Sequence, residues 1–270
     1  MTTKTIAFIG GGHITEVIIE NLIGSRTASA RRLIVSDPDE GRREYLSRTF
    51  SVKTTSDNVA AAGDGAIVFI NVRPRVVDEV VEEFARASLP EGKVLVTLAA
   101  GIPIEKYRKL GKELAIVRAL PNPPSQIGQG IIAIVFNEYV SKIQQKEILE
   151  LFESMGEVVI LKEKQMNAAT ALSSPASILV YFESMIEAGV RMGLERETSV
   201  KIAYQTIVGV MEVWKRRQVP PNELLNEACT PGGISVESVV TLDKHGFRAA
   251  ISEAIRNGTI KAEQLGKGKE

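Results

Sequence analysis

Three consecutive glycines, Gly10-Gly11-Gly12, close a short apolar run at residues 5–9 and lead straight into a helical pattern beginning His13-Ile14-Thr15. Gly10 permits a tight turn, and Gly12 has no Cβ to hold an anion away from the backbone. The amino end of the following helix offers unpaired N–H groups and the positive end of its dipole. Strand, glycine turn and helix start in this order form a cradle for the pyrophosphate of a dinucleotide. The third small residue usual in such turns is Thr15 here, so the fingerprint is a variant, and a plain structural turn is its alternative. His13 and Ile14 fall at the cradle. His13 reads as a loop residue packed near the cofactor or exposed, rather than as a catalyst. Further on, Ser36-Asp37-Pro38-Asp39 closes the second apolar run. A carboxylate there accepts hydrogen bonds from ribose hydroxyls and repels a 2′-phosphate. Asp37 therefore leans the expected cofactor, NAD(P)H, toward NADH. The alternative is that Asp37 or Asp39 caps the helix that follows. Arg42 and Arg43 stand within reach of a 2′-phosphate.

The elements that must position these groups follow from hydropathy spacing. Residues 5–9, 33–35, 66–72, 94–98, 115–117 and 131–136 are short apolar runs, several rich in Val and Ile on both faces. That is the pattern of parallel strands covered by helices on each side. Residues 14–23 and 76–87 are helix candidates between them. The second starts after Pro74 and carries Val76, Val77, Val80, Val81 and Phe84 on one stripe. Strand–helix alternation predicts an α/β fold, a Rossmann-type doubly wound sheet. From Lys164 onward only helical periodicity remains, at 177–192, 198–217, 234–244 and 247–257. The expected domains are a dinucleotide-binding domain at 1–162 and an all-α domain at 163–270. Residues 267–270 read as a frayed polar tail.

Composition narrows the class. The chain has 270 residues, 33 Lys+Arg against 33 Asp+Glu, and 44% hydrophobic residues, an ordinary composition for a globular protein. Zero formal charge gives no cationic face for a nucleic acid. One cysteine, Cys229, and two histidines, His13 and His245, allow neither an internal disulfide nor a Cys- or His-rich metal site, so no metal is expected. No apolar run approaches the ~20 residues that span a bilayer. The start, Met1-Thr-Thr-Lys, reads as leading into a strand rather than as a signal peptide. Together these place the protein in the cytoplasm, away from membranes.

Four stretches in order along the chain resemble the pyrroline-5-carboxylate reductase family, which makes proline by reducing a cyclic imine with NAD(P)H. They are Gly10-Gly11-Gly12; Val68-Phe69-Ile70-Asn71-Val72-Arg73-Pro74; Leu98-Ala99-Ala100-Gly101-Ile102 with Val117-Arg118-Ala119-Leu120-Pro121-Asn122-Pro123-Pro124; and Thr230-Pro231-Gly232-Gly233-Ile234-Ser235. The last is the most specific, and residues 189–194 add a softer match. The resemblance implies that Ser235 donates a proton or hydrogen bond to the imine nitrogen, with Thr230 beside it. Pro231, Gly232, Gly233 and Ile234 form a helix-opening bend whose amides suit the substrate carboxylate. Asn71, Val72, Arg73 and Pro74 line the ribose and diphosphate side, and Ala100 and Gly101 let the nicotinamide approach the backbone. Asn122 bonds to the nicotinamide amide or to substrate, and Ser174 belongs to the substrate loop. Arg118 reads either as a strand-end charge facing outward or as a functional group.

The chain departs from the family pattern mainly on the substrate side. Where the family typically reads Ser-Gly-Ser-Gly-Pro-Ala-Tyr, this chain has Ser173-Ser174-Pro175-Ala176-Ser177, with two residues fewer and no tyrosine. The usual lysine before Pro74 is Arg73, and the first threonine of the last motif is Ile234. Two alternatives share the scaffold. One is a reductase of another imine or of a β-hydroxy acid, for which Lys164-Gln-Met-Asn167 has the required Lys-x-x-Asn spacing. The other is a non-catalytic NAD(P)-binding regulatory homologue. Helices 177–192 and 198–214 are apolar around most of their circumference, which predicts burial against a second copy in a homodimer or a ring of dimers, the alternative being a monomer in which they pack on the sheet domain.

Overall fold

A computed structural model describes residues 2–88 and 91–266; the expected tail at 267–270 lies outside the described residues. The chain forms two compact units, one built from the chain up to Ser173 together with the part from Asn257 on, the other Ser174–Arg256. Hydropathy alone suggested a single cut at 162/163. Strand periodicity shows where the sheet stops, but not which later helix returns to it.

In the first unit the elements run β1 (Ile6–Ile9), α1 (His13–Gly24), β2 (Leu33–Ser36), α2 (Glu40–Phe50), β3 (Lys53–Thr55), α3 (Asn58–Asp64) and β4 (Ile67–Ile70). There follow α4 (Val77–Ala87), β5 (Val94–Thr97), β6 (Ala115–Pro121), β7 (Gly130–Phe136), α5 (Lys142–Glu153), β8 (Gly156–Ile160) and α6 (Met166–Leu172). The strands make one sheet in the order β3-β2-β1-β4-β5-β6-β7-β8. β1, β2, β4 and β5 are buried at every residue, because helices cover both faces. Alternation along each strand divides the core. Ile6, Phe8, Phe69 and Val96 meet Ile18, Leu22 and Phe152 on one face, where the rings of Phe8 and Phe69 stack at 5.0 Å. Ala7, Ile9, Val68 and Ile70 meet Val77, Val80, Val81 and Phe84 of the α4 stripe on the other.

Three features escaped the hydropathy reading. β3 is a short polar edge strand, and α5 is announced by a capping box between Ser141 and Gln144 rather than by a strong stripe. β6 pairs with β7 antiparallel, while every other neighbouring pair is parallel. The connection from Asn122 to Gln129 is too short for a parallel crossover, so the chain must turn back. Arg118 also does not face outward. It is 3% exposed, and its Nη2 donates to Asn167 Oδ1 at 3.0 Å while Glu163 lies 3.4 Å from Nη1.

The second unit holds α7 (Ala176–Arg191), α8 (Arg196–Arg217), α9 (Pro221–Ala228), α10 (Ile234–Lys244) and the first half of α11 (Phe247–Gly266). α11 runs beyond the expected 247–257, and its last turns pack in the first unit. A Cβ on Gly258 would stand 3.1 Å from that of Ala171. α7 and α8 leave apolar side chains uncovered within one chain, among them Leu179 at 58%, Val180 at 68% and Met211 at 55% exposure. No helix among the described residues is long and apolar enough to cross a membrane.

Candidate active site

The glycine turn leaves the carboxyl end of β1, which lies between β2 and β4 where the strand order reverses, the switch point at which open α/β sheets bind ligands. Gly10 takes φ +97°, and its N–H donates to Ser36 O at 2.8 Å. A Cβ there would lie 3.1 Å from the carbonyl carbon and oxygen of Asn71, so only glycine fits without a shift. Thr15, fully buried, explains the variant fingerprint. Its hydroxyl donates to Gly10 O at 2.6 Å and accepts from Asn71 Nδ2 at 3.0 Å, tying α1 and β4 to the turn. Gly12, the N-cap of α1, has no side-chain cap bond and nothing within 4 Å of a would-be Cβ. The first-turn N–H groups of α1 therefore lack intrahelical partners, and the helix start at Gly12 is open. Asn71 Oδ1 is buried with no hydrogen-bond partner among the described residues. An open amide cradle beside an orphaned amide oxygen fits a dinucleotide. His13 is exposed at the first helical position, and Ile14 packs partly against the core.

Asp37 supports this turn directly. Its Oδ2 accepts from Gly11 N at 2.7 Å and its Oδ1 from Asp39 N at 2.9 Å. The cap of α2 is Asp39, which accepts from Arg42 N at 2.9 Å. Sequence reasoning missed Glu16 and Tyr45 altogether. Arg42 donates through Nε to Gly11 O and through Nη2 to Glu16 Oε2 at 2.5 Å, with its guanidinium 5.0 Å from the centre of the Tyr45 ring. Tyr45 donates to the other oxygen, Glu16 Oε1, at 2.7 Å. Burial by itself raises the Glu16 pKa, but the hydrogen bonds from Arg42 and Tyr45, with the Arg42 charge, hold it below the usual carboxylate range. Arg43 donates to the carbonyls of Asp37 and Pro38 at 2.8 and 2.9 Å. The only advance signal for Glu16 was an acid in the first turn after a glycine cradle.

Asn71 leaves β4 into Val72, exposed Arg73 and Pro74, which opens a short 3₁₀ turn. Ala100 is half-buried beyond the end of β5. At Gly101 the expected opening for nicotinamide is corrected. With φ +79°, its Cβ position is filled by Ala262 O and, at 2.8 Å, Gly266 N, so Gly101 is small because α11 packs on it. Asn122 is revised in the same way. Its Oδ1 accepts from Ile131 N at 2.8 Å and its Nδ2 donates to Ser173 O at 3.0 Å. Both ends of the amide are engaged by main chain, which makes Asn122 a positioning residue for the end of α6.

In the second unit, Gly233 N donates to Thr230 O at 2.9 Å, Gly232 takes φ +72°, and α10 opens at Ile234 as its sequence predicts. Pro231 has no N–H and that of Gly233 closes the turn. The amides open to an anion are thus those of Gly232 and the uncapped first turn of α10. Ser235 is half-buried in that turn, while Ile234 is 89% exposed. Ser174 is exposed, its hydroxyl accepting from Ala176 N at 3.4 Å. The fold thus gathers Gly10, Gly11, Gly12, Asp37 and Asn71 around one turn and Thr230 to Ser235 around another. Lys164 is exposed and Asn167 is bonded to Arg118, so this Lys-x-x-Asn spacing carries no visible catalytic pair. Among the described residues no three His, Cys, Asp or Glu side chains gather as a metal site.

A doubly wound sheet with its glycine cradle at the switch point defines a Rossmann-type dinucleotide-binding protein. Comparison with known proteins sharpens the class. Residues 163–265 match the model for pyrroline-5-carboxylate reductase dimerisation, and residues 5–101 one described as NADP oxidoreductase coenzyme F420-dependent. The pyrroline-5-carboxylate reductase of Synechocystis is 33% identical over 264 residues, 97% of this chain and 98% of that one. That of Escherichia coli is 29% identical over 98% of this chain and 99% of its own. The Coxiella burnetii pyrroline-5-carboxylate reductase structure superposes with a TM-score of 0.89 at 27% identity, covering 98% of this chain and 99% of that one. A Plasmodium falciparum pyrroline carboxylate reductase with NADP bound gives 0.87, also at 27% identity, over 98% and 99%. The chain belongs to the pyrroline-5-carboxylate reductase family.

Proposed function

We propose that this protein reduces the C=N bond of 1-pyrroline-5-carboxylate to give L-proline. The observation that carries the reading is the open, uncapped start of α1 at Gly12, beside a turn shaped by Gly10 and Gly11, in a chain matched nearly end to end by pyrroline-5-carboxylate reductases. The reduced nicotinamide, when bound, supplies the hydride to the imine carbon. Gly10 and Gly11, their amides bonded to Ser36 and Asp37, shape the turn; Gly12 with the first turn of α1 holds the diphosphate, and the orphaned Asn71 Oδ1 accepts a hydrogen bond from the dinucleotide. Asp37, which orients Gly11, favours NADH. The amides of Gly232 and of the α10 start hold the substrate carboxylate, and the Ser235 hydroxyl, with Thr230 nearby in sequence, bonds the imine nitrogen and orients the C=N bond. The nitrogen ends as a secondary amine: hydride adds to carbon and one proton is retained at, or delivered to, nitrogen. An iminium already carrying that proton needs orientation more than acid catalysis, which suits a hydroxyl.

The uncovered apolar faces of α7 and α8 support a homodimer through the dimerisation segment, and a ring of dimers extends the same reading. A cytoplasmic setting suits an enzyme dependent on that nucleotide pool. The test is oxidation of NADH or NADPH by racemic pyrroline-5-carboxylate, followed at the nicotinamide absorbance. Ser235→Ala is expected to lower kcat by about a hundredfold with nucleotide affinity kept. Nucleotide binding without turnover of the imine by the unaltered protein would reject the assignment.

A further inference from the structure

We propose that Glu16, fixed by Tyr45, sets the dinucleotide preference of this protein by sequestering Arg42, so that the site accepts a ribose 2′-hydroxyl and rejects a 2′-phosphate. The proposal rests on the reading of Gly10 to Gly12 as the pyrophosphate cradle and deepens it to the choice between NADH and NADPH.

A 2′-phosphate is a dianion and needs a cation at the corner after β2. That corner has two in sequence, Arg42 and Arg43, and the fold commits both elsewhere. Arg43 Nη1 is bound to the carbonyls of Asp37 and Pro38. Arg42 is held more firmly. Its Nε is on Gly11 O, its Nη2 lies 2.5 Å from Glu16 Oε2 and 3.4 Å from Gly12 O, and its guanidinium carbon sits over the Tyr45 ring. The pair is largely withdrawn from water, with 25% of the Arg42 side chain and 22% of the Glu16 side chain exposed. Charge-assisted bonds of this kind are about twice as strong as neutral ones. The second oxygen of Glu16 takes the Tyr45 hydroxyl at 2.7 Å, so the carboxylate cannot turn away without losing that partner.

The electrostatic result is a corner with two fixed carboxylates, Glu16 and Asp37, whose nearest arginines are already neutralised or bound to carbonyls. An arriving phosphate must either break the Arg42–Glu16 pair or sit beside both acids. A 2′-hydroxyl does neither, since it can donate to a carboxylate. Glu16 is thus a specificity residue acting through Arg42, 26 positions away in sequence.

The experiment is calorimetric titration of the full-length protein with NADH and NADPH, and with AMP and adenosine 2′,5′-bisphosphate as probes of the corner alone. The protein as it stands is expected to bind NADH at least about tenfold tighter than NADPH. Glu16→Gln keeps shape and hydrogen bonding but removes the charge that holds Arg42. It should narrow that preference about tenfold and tighten the bisphosphate relative to AMP. Tyr45→Phe, which only frees Glu16, should narrow it in the same direction by less. Adding Arg42→Ala to Glu16→Gln should restore discrimination, because the released cation is what the phosphate meets. A ratio unmoved in a Glu16→Gln protein that still binds NADH overturns the role of Glu16 and leaves the cradle standing. Failure of the unaltered protein to bind either nucleotide overturns the cradle as well.

Discussion

Two alanines placed two residues apart should separate folding from ligand binding. At Gly10, φ of +97° puts an L-residue in a region that costs about 1–2 kcal/mol. The new Cβ would stand 3.1 Å from main-chain atoms of Asn71, which cannot swing aside as a side-chain tip can. Forcing atoms into a packed site adds about 1–3 kcal/mol. Gly10→Ala should therefore lose about 2–5 kcal/mol, a fall in Tm of about 4–20 °C for a unit of this size. Gly12 differs in every respect that matters. Its φ of −65° and ψ of −177° suit alanine, and nothing lies within 4 Å of the added methyl. The small loss at the N-cap is offset by about 0.4–1 kcal/mol from a less flexible unfolded chain, so Tm should move by under about 3 °C. That same open space is where a diphosphate must come to reach the amides. Hydrogen bonds to a charged group contribute about 1.5–3 kcal/mol each, so losing one by a methyl's stand-off weakens NADH binding about ten- to a hundredfold. Differential scanning fluorimetry and titration of NADH fluorescence read the two effects on the same samples. A folded Gly12→Ala protein that binds NADH within twofold of the original would refute the cradle.

Three further outcomes follow from the structure. Burial pushes the Tyr107 phenol up to about 12, above its ordinary value near 10, against the lowering effect of its bond to Thr97. Between pH 10 and 12 the unfolded chain sheds this proton while the folded one keeps it, so the stability present below pH 10 is lost as pH rises through that window, about 2–3 kcal/mol in all. Alkaline denaturation midpoints measure the slope, and Tyr107→Phe should flatten it. Asn122→Ala leaves the Ile131 N–H and the Ser173 carbonyl without their side-chain partner. It should cost about 1–3 kcal/mol in urea unfolding, and a change under a few tenths would show that these bonds do not hold the end of α6. Size-exclusion chromatography with light scattering should report twice the mass of one chain or a multiple of it. A single species of one-chain mass at micromolar concentration would leave the apolar faces of α7 and α8 unexplained.

The parts of this site legible in sequence are those where one residue's own backbone imposes the answer. Gly10 must be glycine because of its φ, and Pro231-Gly232-Gly233 must bend before a helix can begin at Ile234. Strands β1, β2, β4 and β5 were legible because burial on both faces leaves no polar residue to blur the pattern. What stayed hidden depends on pairs distant along the chain. Gly101 looked like an opening for a ligand, yet the atoms that require it to be small belong to Ala262 and Gly266. Asn122 looked like a ligand group, yet its amide is taken by Ile131 and Ser173. Arg118 read as either an outward-facing charge or a functional group, yet it is buried against Glu163 and Asn167, and Asn122 holds the other end of the same short helix. Arg118 of β6 and Asn122 just beyond it thus hold α6 at both ends, and α6 is the element from which the chain enters the shortened Ser173-Ser174-Pro175 segment. The residues departing most from the family pattern therefore hang from a rigidly held helix. A rigid mount lets a loop change length without disturbing the sheet. It is on such segments, rather than in the cradle, that a change of substrate would be written.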